Sequence, residues 1–394
     1  MTLGKEHVNL LMSENFEIGI GRQARRTYQL SDINIVPSRR TRSSKEVDTS
    51  WKIDAYQFDI PLMTHPSDAV VSPASAAEFA RLGGLAVLNA EGIWARHEDA
   101  DEKIVQLREL APKAEENFDF GASTRRLQEL HQAPINHELL TARIREIRDT
   151  GAVTAVRVSP QHARDLAPVV IGAGIDLLII QGTLISAEHV TAQGEPLNLK
   201  DFIGGLDVPV IAGGVVNYQT AMHLMRTGAA GIIVGPGNTY SSMPLGIEVP
   251  MATAIADAAA ARKDYLDETG GRYVHIIADG GIYAAGDIAR AIACGADAVA
   301  VSDLLANSQE APGQGFFWPS VAAHPTYPRG LMAATSMPQD GVFPSLEQVL
   351  YGPSDTVSGE LNLVGGLRRS MAKCGYTNVK SFQRVDLSVR PTFF

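Results

Sequence analysis

Cysteine is nearly absent from this 394-residue chain, with Cys294 and Cys374 the two examples and no CxxC spacing between them. That excludes a disulfide framework and points to a reducing compartment, with the cytoplasm as the expected location. Long apolar runs are missing too: no stretch approaches the roughly 20 residues of a membrane-spanning helix. The opening Met1-Thr-Leu-Gly-Lys-Glu6 does not read as a signal peptide. Basic charge is in deficit, 34 Lys and Arg against 44 Asp and Glu, for a net charge of −10. A phosphate backbone needs a basic face, so a broad nucleic-acid surface is disfavoured. A small phosphorylated ligand is not, because backbone amides can hold it locally. Internal repeats and low-complexity tracts are also missing, and no metal site is expected.

What is present is a long alternation of strand and helix signals. Candidate strands are 60–63, 84–88, 152–158, 176–180, 208–212, 231–234, 274–278 and 298–301. They are short, apolar on both faces and rich in Val, Ile and Leu, as buried parallel strands are. Helical patterns follow at 73–81, 163–172, 218–227, 249–262, 287–293 and 361–373. Glycines at 172, 228 and 295 precede the next strand and suit helix C-caps. Eight such units predict an α/β fold, a (β/α)8 TIM barrel, with an open doubly wound sheet as the alternative. With 45% hydrophobic residues, the chain has material for one large core.

The expected organisation is a single barrel domain over 1–394. Residues 1–59 form an N-terminal extension and 95–150 an enlarged helical connection. The Pro- and Gly-rich segment 307–360 inserts after the eighth strand. Inserts after barrel strands sit on the catalytic face, so 307–360 reads as a flap, with a packing or oligomer loop as the other reading.

Two motifs carry chemistry. In Gly235-Pro-Gly-Asn-Thr-Tyr-Ser-Ser242 a strand opens into a glycine loop that brings bare N–H groups to a ligand. In Asp279-Gly-Gly281 a strand-end carboxylate can accept from sugar hydroxyls while Gly280 and Gly281 bring amides near a phosphate. As a bare pattern, Asp-Gly-Gly is equally a turn.

In context these motifs resemble the IMP dehydrogenase/GMP reductase family. Gly286-Asp-Ile, Gly295-Ala-Asp, Leu304-Leu-Ala306 and Glu310-Ala-Pro-Gly313 follow in the family's order. Leu30 to Pro37, Pro61-Leu-Met-Thr64, Gly83-Gly84, Pro209 to Val215, Leu363 to Arg368 and Gly375-Tyr-Thr377 extend the likeness over most of 28–380. The resemblance implies a barrel, a purine nucleotide as ligand, NAD(P) as cofactor and a tetramer. The family's paired CBS modules are not expected, because 95–150 is too short for them.

The departures from the family pattern bear on activity. The family's catalytic cysteine, which attacks C2 of the purine, corresponds to Tyr240. A phenol, with a reference pKa near ~10 against ~8.5 for a thiol, is the poorer nucleophile. Ser242 stands where the family has a threonine. Its Arg-Tyr flap pair is matched only by Tyr327-Pro-Arg329 in reversed order. The phosphate-receiving Gly-Ser after the eighth strand reads Ser302-Asp303, the loop serine is Asn238 followed by Thr239, and the nicotinamide-side aspartate is Gln181. The fifth-strand asparagine is Gly214, beside Gly213. The resemblance therefore leaves two readings: a family member that lost cysteine redox chemistry but keeps its barrel-top pocket, or an active NAD(P)-dependent enzyme with atypical residues.

Overall fold

A computed structural model describes residues 15–111, 120–190, 197–237, 245–320, 333–334 and 341–390. Its centre is a parallel barrel of eight strands: β1 Leu62–Thr64, β2 Val87–Asn89, β3 Ala155–Val158, β4 Leu177–Gln181, β5 Val210–Val215, β6 Gly231–Val234, β7 His275–Asp279 and β8 Ala298–Val301. Consecutive strands pair from β2 to β8, and β8 pairs with β1, placing Val299 opposite Leu62. The ring closes between β1 and β2 through Leu85, whose N–H donates to Leu62 O at 3.1 Å and whose carbonyl accepts from Thr64 N–H at 3.0 Å.

Six of the strands begin one to three residues later than the apolar runs suggest. Ala86 and Val153 are packed before the ladder starts, so apolarity there marks burial rather than pairing. At the other end β1, β2, β4 and β7 each close on a polar residue: Thr64, Asn89, Gln181 and Asp279.

Alternation along each strand divides the core. Inward residues Met63, Val87, Leu177, Ile179, Ile211, Ile233 and Ile277 fill the barrel, and their neighbours Leu88, Val156, Ile180, Ile232 and Ile276 face the helices. An antiparallel hairpin of Trp51–Ile53 with Tyr56–Phe58 joins the inner set and closes the barrel's N-terminal end. The Trp51 and Phe58 rings stack at 5.2 Å, and Ile53 is wholly buried.

Local signals set the helices. Ser72 caps Pro73–Arg81 in a capping box with Ser75, and Pro73 occupies the first turn, where its missing N–H costs nothing. Gly228 and Gly295 adopt the left-handed conformation expected of them. Gly172 does not: it lies inside the helix Ala163–Ala173, and Gly174 at φ 93° ends it. Between β2 and β3 the chain runs through helices Ala100–Leu110, Phe120–Leu130 and His137–Arg148. After β8 come the short helix Asp303–Ala306, a Phe316–Phe317 strand paired with Ala333–Ala334, and helices Leu346–Tyr351 and Leu363–Lys373. Among the described residues no helix is long and apolar enough to cross a membrane.

Candidate functional site

The polar strand ends converge at the C-terminal mouth of the barrel, where loop-borne chemistry sits in this architecture. Asp279 closes β7, is 1% exposed, and accepts from two side chains. Gln181 Nε2 donates to it at 2.7 Å, and His65 Nδ1 lies 3.0 and 3.2 Å from its two oxygens. A carboxylate only accepts, so Nδ1 carries the proton of that bond. Among the described residues the opposite edges, His65 Nε2 and Gln181 Oε1, are buried with no hydrogen-bond partner, as is Thr183 Oγ1 just beyond β4.

A second polar group adjoins the first. Arg157 of β3 donates through Nε at 3.0 Å and Nη2 at 2.6 Å to Gln181 O, and through Nη1 at 3.3 Å to Asn89 Oδ1. Its guanidinium lies 3.6 Å from Glu91, which also accepts from His162 at 2.9 Å and from Ser159 N–H. Burial pushes the Glu91 carboxyl up, but Arg157, His162 and Ser159 outweigh it and hold the group down at about 2. The same bond raises His162 above its ordinary value, against partial burial. Nearby, burial lifts Asp68 to about 7; one of its oxygens accepts from Ile93 N–H at 2.9 Å and the other has no partner among the described residues.

The glycine loops abut one another. Gly235, Gly237, Gly280 and Gly281 all have left-handed φ, between 71° and 137°. A Cβ on Gly235 would sit 2.2 Å from Asp279 O, and one on Gly280 would sit 2.5 Å from Gly237 O. The amides expected to be bare at Gly235 and Gly237 are committed instead, to Val215 O at 2.8 Å and Asp279 O at 3.0 Å. These two glycines contribute shape rather than donors. Gly237, Gly280 and Gly281 line a cavity of about 360 Å³ together with Pro236, Gln29 and Ser31. A larger groove of about 590 Å³ against Gly83, Gly84 and Thr150 lies at the barrel's other end, away from the polar mouth.

The other expected residues fall as follows. Ser302 and Asp303 are half-buried directly after β8, with Asp303 opening the helix Asp303–Ala306. Gly213 and Gly214 sit on β5, where a Cβ would meet Ile233 Cβ at 2.4 Å or Gly235 O at 2.1 Å, so packing alone requires both to be glycine. Asn238, Thr239, Tyr240, Ser242 and Arg329 lie outside the described residues. Cys294 caps the helix Ala285–Ala293 ahead of β8, at the barrel's N-terminal end, and burial raises its thiol to about 11. Cys374 ends the helix Leu363–Lys373 and is raised by burial as well. Among the described residues no three His, Cys, Asp or Glu side chains are grouped to hold a metal.

The sequence reading missed His65, Asn89, Glu91 and Arg157. The available signal was position: Asn89 ends the second strand, His65 and Glu91 stand just past the first and second, and Arg157 lies near the end of the third.

Residues 27–392 match the model of the IMP dehydrogenase / GMP reductase domain. An uncharacterized oxidoreductase of Mycolicibacterium smegmatis is 62% identical over 377 residues, 95% of this chain and 99% of that protein. One from Mycobacterium tuberculosis is 60% identical with the same coverage. An inosine-5'-monophosphate dehydrogenase of Methanocaldococcus jannaschii is 24% identical across 92% of each chain. The 1.50 Å crystal structure of an IMP dehydrogenase/GMP reductase-like protein from Corynebacterium glutamicum is similar with a TM-score of 0.90 and 59% identity, covering 97% of this chain and 99% of that one.

Proposed function

Because this chain belongs to the IMP dehydrogenase/GMP reductase family, we propose that its barrel mouth binds a purine-type ligand and that cysteine-adduct redox chemistry has been lost. The observation that carries this reading is where the thiols lie. The chain has two cysteines; one sits at the barrel's far end and the other on an outer helix, and burial disfavours both thiolates. Tyr240 occupies the nucleophile's place in the glycine loop.

In this reading Asp279, Gly280 and Gly281 take the ligand's sugar and phosphate side. Ser302 and Asp303 close it from β8, and Asn238 and Thr239 extend the loop from Gly235 and Gly237. Ser242 and Arg329 carry no catalytic role. In the same reading the chain is one barrel domain with 307–360 as its flap, and the scarcity of cysteine supports a cytoplasmic location.

A second reading, an active NAD(P)-dependent oxidoreductase, is favoured by the mycobacterial relatives, which are named as oxidoreductases. The end of β4 fits such a cofactor, since buried Gln181 Oε1 and Thr183 Oγ1 lack partners among the described residues and can accept from a carboxamide N–H. NAD(P) would supply a hydride acceptor or donor there. Gly213 and Gly214 add no argument for it, since packing accounts for them.

Calorimetric titration with IMP, GMP, inosine and guanosine, in wild type and Asp279→Ala, tests the binding claim. Saturable heat in wild type that weakens at least tenfold in the variant is expected. Absence of binding by every purine would end the proposal.

A further inference from the structure

We infer that His65 and Asp279 form a proton-accepting dyad at the barrel mouth, with His65 Nε2 taking the proton of an N–H or O–H group on the bound ligand. The inference rests on the purine-binding reading above and adds a residue that the glycine and aspartate motifs do not contain.

Three observations carry it. The first is orientation: Asp279 bonds Nδ1 at 3.0 Å, which fixes the ring and assigns the proton to that nitrogen. Gln181 Nε2 and the barrel wall hold Asp279 in turn, so the carboxylate is itself positioned. The second is the state of the other nitrogen. Side chains this deeply buried are almost always paired, yet Nε2 has no partner among the described residues on a residue that is 2% exposed. An acceptor left bare in that setting carries its full desolvation cost, which a ligand donor relieves. The third is location. The ring stands edge-on to Phe317 at 6.0 Å and directly against Gly237, where a Cβ would come within 2.7 Å of Cε1, 3.3 Å of Nδ1 and 3.6 Å of Nε2. Gly237 also lines the cavity of about 360 Å³, so the His65 ring packs directly behind one wall residue of that space.

The chemistry balances without an added reactant. The ligand's N–H or O–H bond breaks with its electron pair left on the ligand atom, an Nε2–H bond forms, and the Asp279 carboxylate, already bonded to Nδ1, faces the resulting imidazolium. Gln181 Oε1, one residue along the same chain of bonds, accepts a second donor. A ligand matching both presents two neighbouring donors, from either a purine edge or a ribose diol.

Nitrogen-15 NMR of the histidine rings in the full chain tests this, with guanosine, 2',3'-dideoxyguanosine and guanine as probes. His65→Asn assigns the signal; its amide can still reach Asp279, and it lacks the Nε2 acceptor. In the free protein His65 should be protonated at Nδ1 alone, and a bound probe should move its Nε2 resonance. Dideoxyguanosine moving it equally assigns the donor to the base, and guanosine alone moving it assigns the diol. His65→Asn should lose at least tenfold in probe affinity with an unchanged melting temperature. A probe that binds while leaving Nε2 unmoved overturns the dyad and spares the purine site. A free protein protonated at Nε2 also overturns it, and failure of all three probes to bind removes both claims.

Discussion

Asp68 shows how one buried carboxyl makes stability depend on pH. Its folded-state pKa is about 7 against an ordinary 3.8, raised by burial. Between those values the folded chain holds a proton that the unfolded chain has released. Stability therefore falls as pH rises through the window, by up to about 1.4 kcal/mol per unit. Asp68→Asn removes this slope: relative to wild type its melting temperature should rise more at pH 8 than at pH 4, as scanning calorimetry at both would read. Glu91 runs the other way, since a carboxyl held at about 2 contributes stability that is lost only as pH falls from about 4.5 toward 2. Asp303 matters for binding rather than folding. A carboxylate about 4 Å from a phosphate charge costs roughly 4 kcal/mol at an effective dielectric of about 20. Asp303→Ser should tighten IMP at least tenfold and leave inosine unchanged in calorimetry; equal IMP affinity would show that Asp303 is not what excludes phosphate.

At the scale of elements, strands and site residues were legible to different degrees. The strands could be read because both faces are buried, which leaves a continuous apolar run. Their C-terminal ends could not, because Asn89, Gln181 and Asp279 are polar where the pattern expects the strand to have stopped. The glycine loops and Asp279-Gly-Gly281 announce themselves as contiguous motifs. His65 and Asp279 stand 214 residues apart and meet only when the barrel closes, so no local window contains their pairing. The Trp51–Phe58 hairpin was likewise folded into the extension by the sequence reading, although it closes the barrel floor. Removing the Ile53 side chain, which is wholly buried there, should cost about 2–5 kcal/mol in chemical denaturation. Purine affinity at the opposite end should not change; a loss of affinity would tie the floor to the mouth.

At the scale of the whole molecule, the barrel leaves apolar surface at its margins. Phe16, Ile18 and Ile20 are exposed on and beside the hairpin of Asn15–Gly19 with Arg22–Arg25, and Leu387 and Val389 are exposed on the strand Asp386–Val389 that pairs with Ile33–Val36. Exposed apolar side chains of this kind favour self-association, and light scattering should report a homo-oligomer, a tetramer by family likeness, where a 42.2 kDa monomer would refute it. The central claim concerns the mouth: it binds a purine without a cysteine nucleophile. Its most direct test compares wild type with the Cys294→Ala/Cys374→Ala double variant. Nicotinamide absorbance would be followed with IMP plus NAD and with GMP plus NADPH. The expected result is no thiol-dependent turnover, so that the two proteins give the same trace and the same purine affinity. Turnover in wild type that disappears with the cysteines would contradict the account.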